Sequence, residues 1–211
     1  MDVKRIDLRR TNAYLADETL VDSGWTWSAS SVRAAVEDAG YGLSDIERVL
    51  VTHYDLDHVG GLASLARRGL DAPVYAAEPD ASYLVGDEKP PFLNRKGAFQ
   101  RAVGVGIRTP DLRVERVEEG DVIGGFAVHE TPGHTPGHVA YVDDEAAFVG
   151  DGFRGKGGFP EPMPSYMCYD AEEAHESARK LAEVLGDRTA YVGHGNPVEN
   201  AGEKLRDGFQ G

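Results

Sequence analysis

In the stretch VLVTHYDLDHVGG, residues 49–61, four residues able to bind a metal ion fall within six positions: His53, Asp55, Asp57 and His58. Such crowding of imidazole and carboxylate rarely serves packing. His53 and Asp55 are two apart, so an extended backbone turns both side chains the same way, while Asp57 and His58 follow as the chain bends toward a helix. One loop can thereby face two cations. A plainer account of this stretch has Asp57 capping a helix that starts near Val59, with the histidines on a surface loop. Three more segments bear on the choice. TPGHTPGH, 131–138, follows a strand predicted to end at Glu130, and its prolines and glycines fix a tight turn around His134. His138 stands there as an outer partner of a ligand or as packing. AFVGD and YVGHG place Asp151 and His194 in the same way, each after a strand and a glycine. Each is weak alone; four such clusters at strand ends point to one metal centre.

The elements that must position these residues are short strands with helices between some of them. Val3 to Leu8 alternates in places, Ala13–Leu15 and Thr19–Asp22 read as a hairpin, and the apolar VLV within Ile46–Thr52 suits a buried strand. Strands are also predicted over Pro73–Ala76, Leu112–Val117, Val122–Glu130, Val139–Val142 and Ala146–Gly150. Helices are predicted over Ser31–Ala39 and Gly61–Arg68. Asp170 reads as the N-cap of a third helix, with Ala174, Ala178, Leu181 and Leu185 at helical spacing behind it. This order favours two sheets flanked by helices over a strictly alternating parallel sheet. Residues 78–110 and the Gly/Pro-rich Phe153–Ser165 fit no element and read as pocket-forming loops.

At 211 residues the chain has the length of a single domain, taken as 1–211. Thirty-six acidic residues face 22 basic ones, 16 of them arginine and 6 lysine, so nucleic acid and anionic membranes are disfavoured as partners. An acid-rich, lysine-poor surface also resembles that of proteins from halophiles. No run of about 18 apolar residues is present and the amino terminus is charged from Asp2, which predicts a cytoplasmic protein. Cys168 is the only cysteine, so a metal must be held by histidine and carboxylate.

Together these residues resemble the metallo-β-lactamase superfamily, and within it the glyoxalase-II-like hydrolases. The family pattern HxHxDH is similar to His53, Asp55, Asp57 and His58, with an aspartate where the second histidine is usual; His134, Asp151 and His194 follow at the later ligand positions. Asn12-Ala13-Tyr14-Leu15 and Val21-Asp22-Ser23-Gly24 resemble the family's first strands, and the likeness runs from residue 12 to 195. It implies an α/β fold, the four-layer αββα sandwich, with metals at one edge of the two sheets. It further implies a first site of His53, Asp55 and His134, a second of Asp57, His58 and His194, and Asp151 bridging both.

Two zinc ions are the expected cofactor, with iron or manganese as alternatives, and Asp57 is the expected catalytic residue that orients the nucleophile. A metal-bound hydroxide would then cleave an ester, thioester or lactone-type bond of a small molecule. Only 17 residues follow His194, too few for the helical extension with which glyoxalase II holds its glutathione thioester. The competing reading is a di-iron redox enzyme of oxygen or nitric oxide, because such proteins carry a carboxylate at the position of Asp55; a separate electron donor would serve it. Replacing a neutral ligand by Asp55 should also lower the charge of the centre, acidify its water less and favour harder cations. Finally, residues 89–108 hold Lys89, Arg95, Lys96, Arg101 and Arg108 but no acid. With Phe92 and Phe99 there, Arg95, Arg101 and Phe92 are predicted to line a pocket for an anionic substrate; alternatively the bases pair with acids elsewhere on the surface.

Overall fold

Strands β1 (Val3–Asp7), β2 (Asn12–Ala16) and β3 (Thr19–Val21) open the chain as an antiparallel meander, in the computed structural model that describes residues 1–92, 95–104 and 106–208. Helix α1 (Ala29–Asp38) then crosses to β4 (Arg48–Leu50), parallel to β3. Short helices α2 (Leu56–Val59) and α3 (Leu62–Ala66) lead to β5 (Val74–Ala77), and α4 (Asp80–Val85) and α5 (Arg95–Gly104) lead to β6 (Val114–Val117). Parallel neighbours require such crossovers. The six strands lie in the order β1-β2-β3-β4-β5-β6.

The second sheet begins with β7 (Val122–Ile123), β8 (Phe126–Glu130), β9 (Val139–Val142) and β10 (Ala146–Gly150), each antiparallel to the next. A separate hairpin of β11 (Arg154–Lys156) and β12 (Phe159–Glu161) precedes helix α6 (Ala171–Leu185), which returns the chain to β13 (Thr189–Val192), parallel to β10. Helix α7 (Ala201–Gly208) follows. The N-cap of α6 is Asp170, whose carboxylate accepts from the backbone N–H of Glu172 and Glu173, as its sequence position suggests.

Alternation along the strands builds the layers. Leu50 and Phe148 face each other's sheet in an apolar cluster with Tyr14, Val128 and Tyr141. Their chain neighbours point the opposite way: Val49 and Val51 pack with Val32, Val36, Leu62 and Leu65, and Ala147 and Val149 with Leu181, Leu185 and Leu205. Helix, sheet, sheet and helix are thus stacked as the four-layer αββα sandwich. Each fully buried Leu or Phe contributes about 1.5–3 kcal/mol, so the strand ends that carry the site are anchored from both faces. Among the described residues no helix is long and apolar enough to cross a membrane.

Three expectations need correction. Val122–Glu130 is not one strand but the β7–β8 hairpin, because Gly124 and Gly125 take φ of +60° and +94° and reverse the chain. The supposed loop Phe153–Ser165 contains β11–β12, closed in the same way by Gly157 and Gly158 at +61° and +83°. Residues 78–110 hold helices α4 and α5.

Candidate metal centre

The loops after β4, β8, β10 and β13 all leave the two sheets at one edge. Val139 N–H donates to Thr52 O at 2.9 Å and Gly193 N–H to Gly150 O at 2.7 Å, tying these loops to each other. The seven residues singled out in the sequence meet there. His53, His134 and Asp151 offer donor atoms all within 4.8 Å of one another, and Asp57, His58 and His194 form a second such group. Asp151 faces both: its Oδ2 lies 3.4 Å from His134 Nε2 and 3.1 Å from His194 Nε2, and its Oδ1 lies 3.6 Å from His58 Nε2. Asp55 stands at the first group, with Oδ2 3.4 Å from His53 Nε2 and 3.1 Å from His134 Nε2. The glycine of YVGHG is required by this closeness, since a Cβ on Gly193 would lie 2.6 Å from His58 Cε1 and nearer still to Asp151 Oδ1.

Hydrogen bonds from behind choose which ring nitrogen faces inward. Asp22, buried at the end of β3, accepts from His58 Nδ1 at 2.8 Å, from Thr52 N–H at 2.9 Å and from Thr52 Oγ1 at 2.8 Å. The Thr52 hydroxyl, its proton thus committed, accepts from His53 Nδ1 at 3.0 Å. His194 Nδ1 donates to Arg10 O. In all three rings Nε2 is left for the site, the arrangement that metal-bound histidines generally need. His138 is not in either group: its Nε2 accepts from Asp151 N–H at 3.0 Å and its Nδ1 bonds Thr131 Oγ1 at 2.8 Å, so it fixes the backbone of Asp151. Asp80 joins two loops, accepting from Tyr54 N–H at 2.7 Å, Thr135 Oγ1 at 2.6 Å and Gly137 N–H at 3.1 Å. Sequence reasoning did not single out Asp80, and it noted Asp22 only within the likeness to early strands.

His53 Nε2, His58 Nε2 and Asp151 Oδ1 are buried without a hydrogen-bond partner. Each unpaired buried polar atom costs about 1–3 kcal/mol, and a cation in each group would satisfy all three. The charges agree. Burial pulls the His58 imidazolium down, but Asp151 and Asp22 outweigh it and raise the pKa to about 10; Asp151 raises His194 to about 9 against its burial. Burial, aided by His58, drives His53 well below the ordinary histidine range. For Asp151 burial opposes ionisation, yet His194 and His58 hold its carboxyl well below the usual carboxylate range. Burial pushes the Asp57 carboxyl up. His129 bonds Glu119, 3.3 Å away, and lies outside both groups.

One cation in the site belongs to the chain itself. Lys96, on α5 and 6% exposed, donates to Asp55 Oδ2 and lies 3.2 Å from His134 Nε2. One turn further along α5, Gln100 Nε2 donates to Asp55 Oδ1 at 3.0 Å, and Gln100 in turn accepts from Tyr169 OH at 2.5 Å. Burial works against the Lys96 ammonium, but Asp55 more than offsets it and holds its pKa above the ordinary lysine value. The charge that Asp55 adds is therefore neutralised locally by the Lys96 ammonium. The other bases of this segment part company. Arg95 lines a cleft of about 400 Å³ with Lys96, Phe99, Tyr166 and Met167. Arg101 instead lies 4.5 Å over the Phe92 ring and donates to Pro90 O at 3.2 Å, beside a different cavity. Buried Cys168 has its thiol pushed up to about 11 by burial, which keeps it protonated at neutral pH.

Comparison with known proteins adds a lineage to this geometry. Residues 6–194 match the Metallo-beta-lactamase superfamily. The uncharacterized protein YobT of Bacillus subtilis (strain 168) is 30% identical over 217 residues, spanning 94% of this chain and 89% of its own length. An atrochrysone carboxyl ACP thioesterase of Aspergillus fumigatus is 31% identical over 96% of this chain, and a hydroxyacylglutathione hydrolase of Rhodopseudomonas palustris (strain BisB5) is 35% identical over 82% of it. The match spans 56% of the length of each of those two proteins. Among solved structures, TTHA1623 in a di-iron-bound form is similar with a TM-score of 0.70 and 29% identity, covering 94% of both chains. A match of this extent, over strands that end in the ligand-type residues just described, shows that the chain belongs to the metallo-β-lactamase superfamily.

Proposed function

We propose that this chain is a metal-dependent hydrolase of a small molecule carrying an ester, thioester or lactone-type bond. The observation that carries the reading is Asp151, whose two oxygens face two separate groups of inward-turned donors. His53, Asp55 and His134 would hold one ion and Asp57, His58 and His194 the other, with Asp151 shared. Zinc suits this donor set. When bound, two such ions supply an acidified water and Lewis acidity toward a carbonyl oxygen. The chain's own residues do the rest. Asp57, partly open to the site and 3.5 Å from His194 Nε2, orients the attacking water and receives its proton at a carboxylate oxygen whose basicity burial has raised. His138 and Asp80 keep the loops from shifting under that charge. The cleft gives an anionic substrate the cationic Arg95 and the aromatic side chains of Phe99 and Tyr166.

A thioester is the first bond to test, because thioesterase is the stated activity of one curated relative. The excess of carboxylates over bases suits a cytoplasmic enzyme, including one from a salt-rich cell. A second reading, di-iron redox chemistry with a separate electron donor, is supported by the di-iron-bound relative and by Asp55. Metal analysis of purified protein, with a screen of thioesters, lactones, β-lactams and phosphodiesters, separates the two. Turnover that is lost to a chelator and restored by zinc supports the hydrolase; iron with oxygen consumption and no hydrolysis supports the other.

A further inference from the structure

The two halves of the site differ in what already balances their carboxylates. Asp57 and Asp151 make ion pairs only with histidines among the described residues. Asp55 has both oxygens engaged by α5, Oδ1 by Gln100 and Oδ2 by Lys96. The Lys96 ammonium also approaches His134 Nε2, so it stands among the atoms that a first metal ion would use. Lys96 is only 6% exposed, and it is one of the residues that line the cleft with Phe99 and Tyr166. A flexible four-carbon stem next to open space can carry the charge out of the site without moving α5. The Asp55–Lys96 couple is neutral as a unit, like the histidine that the related pattern carries at the position of Asp55.

We propose that Lys96 is the resident cation of the first half-site, so that metal enters this half only after the ammonium leaves Asp55 and His134, and the second half-site fills first. The proposal rests on the two-metal reading above and adds an order of filling to it. His134 Nε2 has one lone pair and cannot bond the ammonium and a metal ion together, and two cations held at contact distance repel each other. Withdrawal of Lys96 frees Asp55 Oδ2 as a ligand and delivers the ammonium to the rim of the cleft.

The test uses the whole chain, stripped of metal and titrated with Zn2+ against a chromophoric chelator. The wild type should bind two ions in separate steps. Lys96→Met, of similar length but uncharged, should tighten the weaker step by about tenfold or more, about 1.4 kcal/mol, and leave the stronger step nearly unchanged. Adding Asp55→Asn to Lys96→Met should abolish that gain, because the gain comes from freeing Asp55. Far-UV circular dichroism confirms the fold, and Lys96→Gln gives the same comparison should the Met variant not fold. A weaker step that is unchanged or loosened in both Lys96 variants overturns the proposal while leaving two bound ions intact. Absence of zinc binding in every protein overturns the two-metal reading as well.

Discussion

The second half-site is backed by groups at the ends of the first sheet's strands, whereas Asp55 of the first is held by a helix that no strand pattern announced. Behind His58 and His194 stand Asp22 at the end of β3 and the carbonyl of Arg10, both fixed by sheet hydrogen bonding nearby. Behind Asp55 stand Lys96 and Gln100 of α5, a helix with few large apolar side chains of its own. The first arrangement is anchored by the core, the second by polar contacts to the site itself. The difference teaches that the donors of one proposed half-site are backed by the sheets, whereas Asp55 of the other is held by the side chains of Lys96 and Gln100.

The largest effect on this comparison should come from removing what the halves share. Asp151→Ala takes a carboxylate from both groups, so both ions and turnover should be lost by more than about 100-fold, beyond the cost of an outer partner. Retention of two tightly held ions, measured by elemental analysis after dialysis, would show that Asp151 does not join the halves. Next comes Asp22→Asn, which removes the acceptor of His58 directly and that of His53 only through Thr52. Zinc affinity should fall about 10–100-fold at the second half-site and less at the first. Equal losses at both in a chelator competition would erase the distinction.

Proton counting sharpens the same contrast. Without metal, His58 and His194 are charged at neutral pH, being raised to about 10 and about 9, whereas His53 is neutral. Filling the second half-site at pH 7 should therefore release about two protons, and its affinity should climb as pH rises toward 9. Calorimetry in buffers of different ionisation heat counts them, and release of none would contradict the assigned charge states.

An effect on stability, not on metal affinity, is expected at Asp80, which burial raises to about 6 despite its three hydrogen bonds. A folded-state pKa above the unfolded value of about 3.9 stabilises the fold below that value, and the gain is lost as pH rises through about 6. The stability of the wild type relative to Asp80→Asn should thus fall between pH 4 and 6.5, by up to about 3 kcal/mol. Urea unfolding of both proteins measures it, and a constant difference would mean that Asp80 is ionised throughout.

What could be read from the sequence follows the same division. His53, Asp55, Asp57 and His58 were legible because they are neighbours in the chain, and His134, Asp151 and His194 because each follows closely on a strand and a glycine. Lys96 was seen only as one base among five, since its partner Asp55 lies 41 positions away and no local pattern pairs them. Helix α5 escaped for a related reason: RKGAFQRAVG buries Lys96, Gly97 and Gln100, and so shows no apolar stripe. The hairpins at Gly124-Gly125 and Gly157-Gly158 did carry a signal, because paired glycines supply the two positive φ values of a tight reversal. Asp80 carried none: its three donors come from loops 26 to 57 residues distant.

The central claim is that two metal ions sit at one sheet edge with Asp151 between them. Anomalous diffraction at the zinc edge, on crystals of zinc-loaded protein that turns over a thioester, tests this most directly. The account predicts two peaks, one among His53, His134 and Asp151 and one among Asp57, His58 and His194, both in contact with Asp151. A zinc peak outside these groups, or an active crystal with no peak beside Asp151, would contradict it.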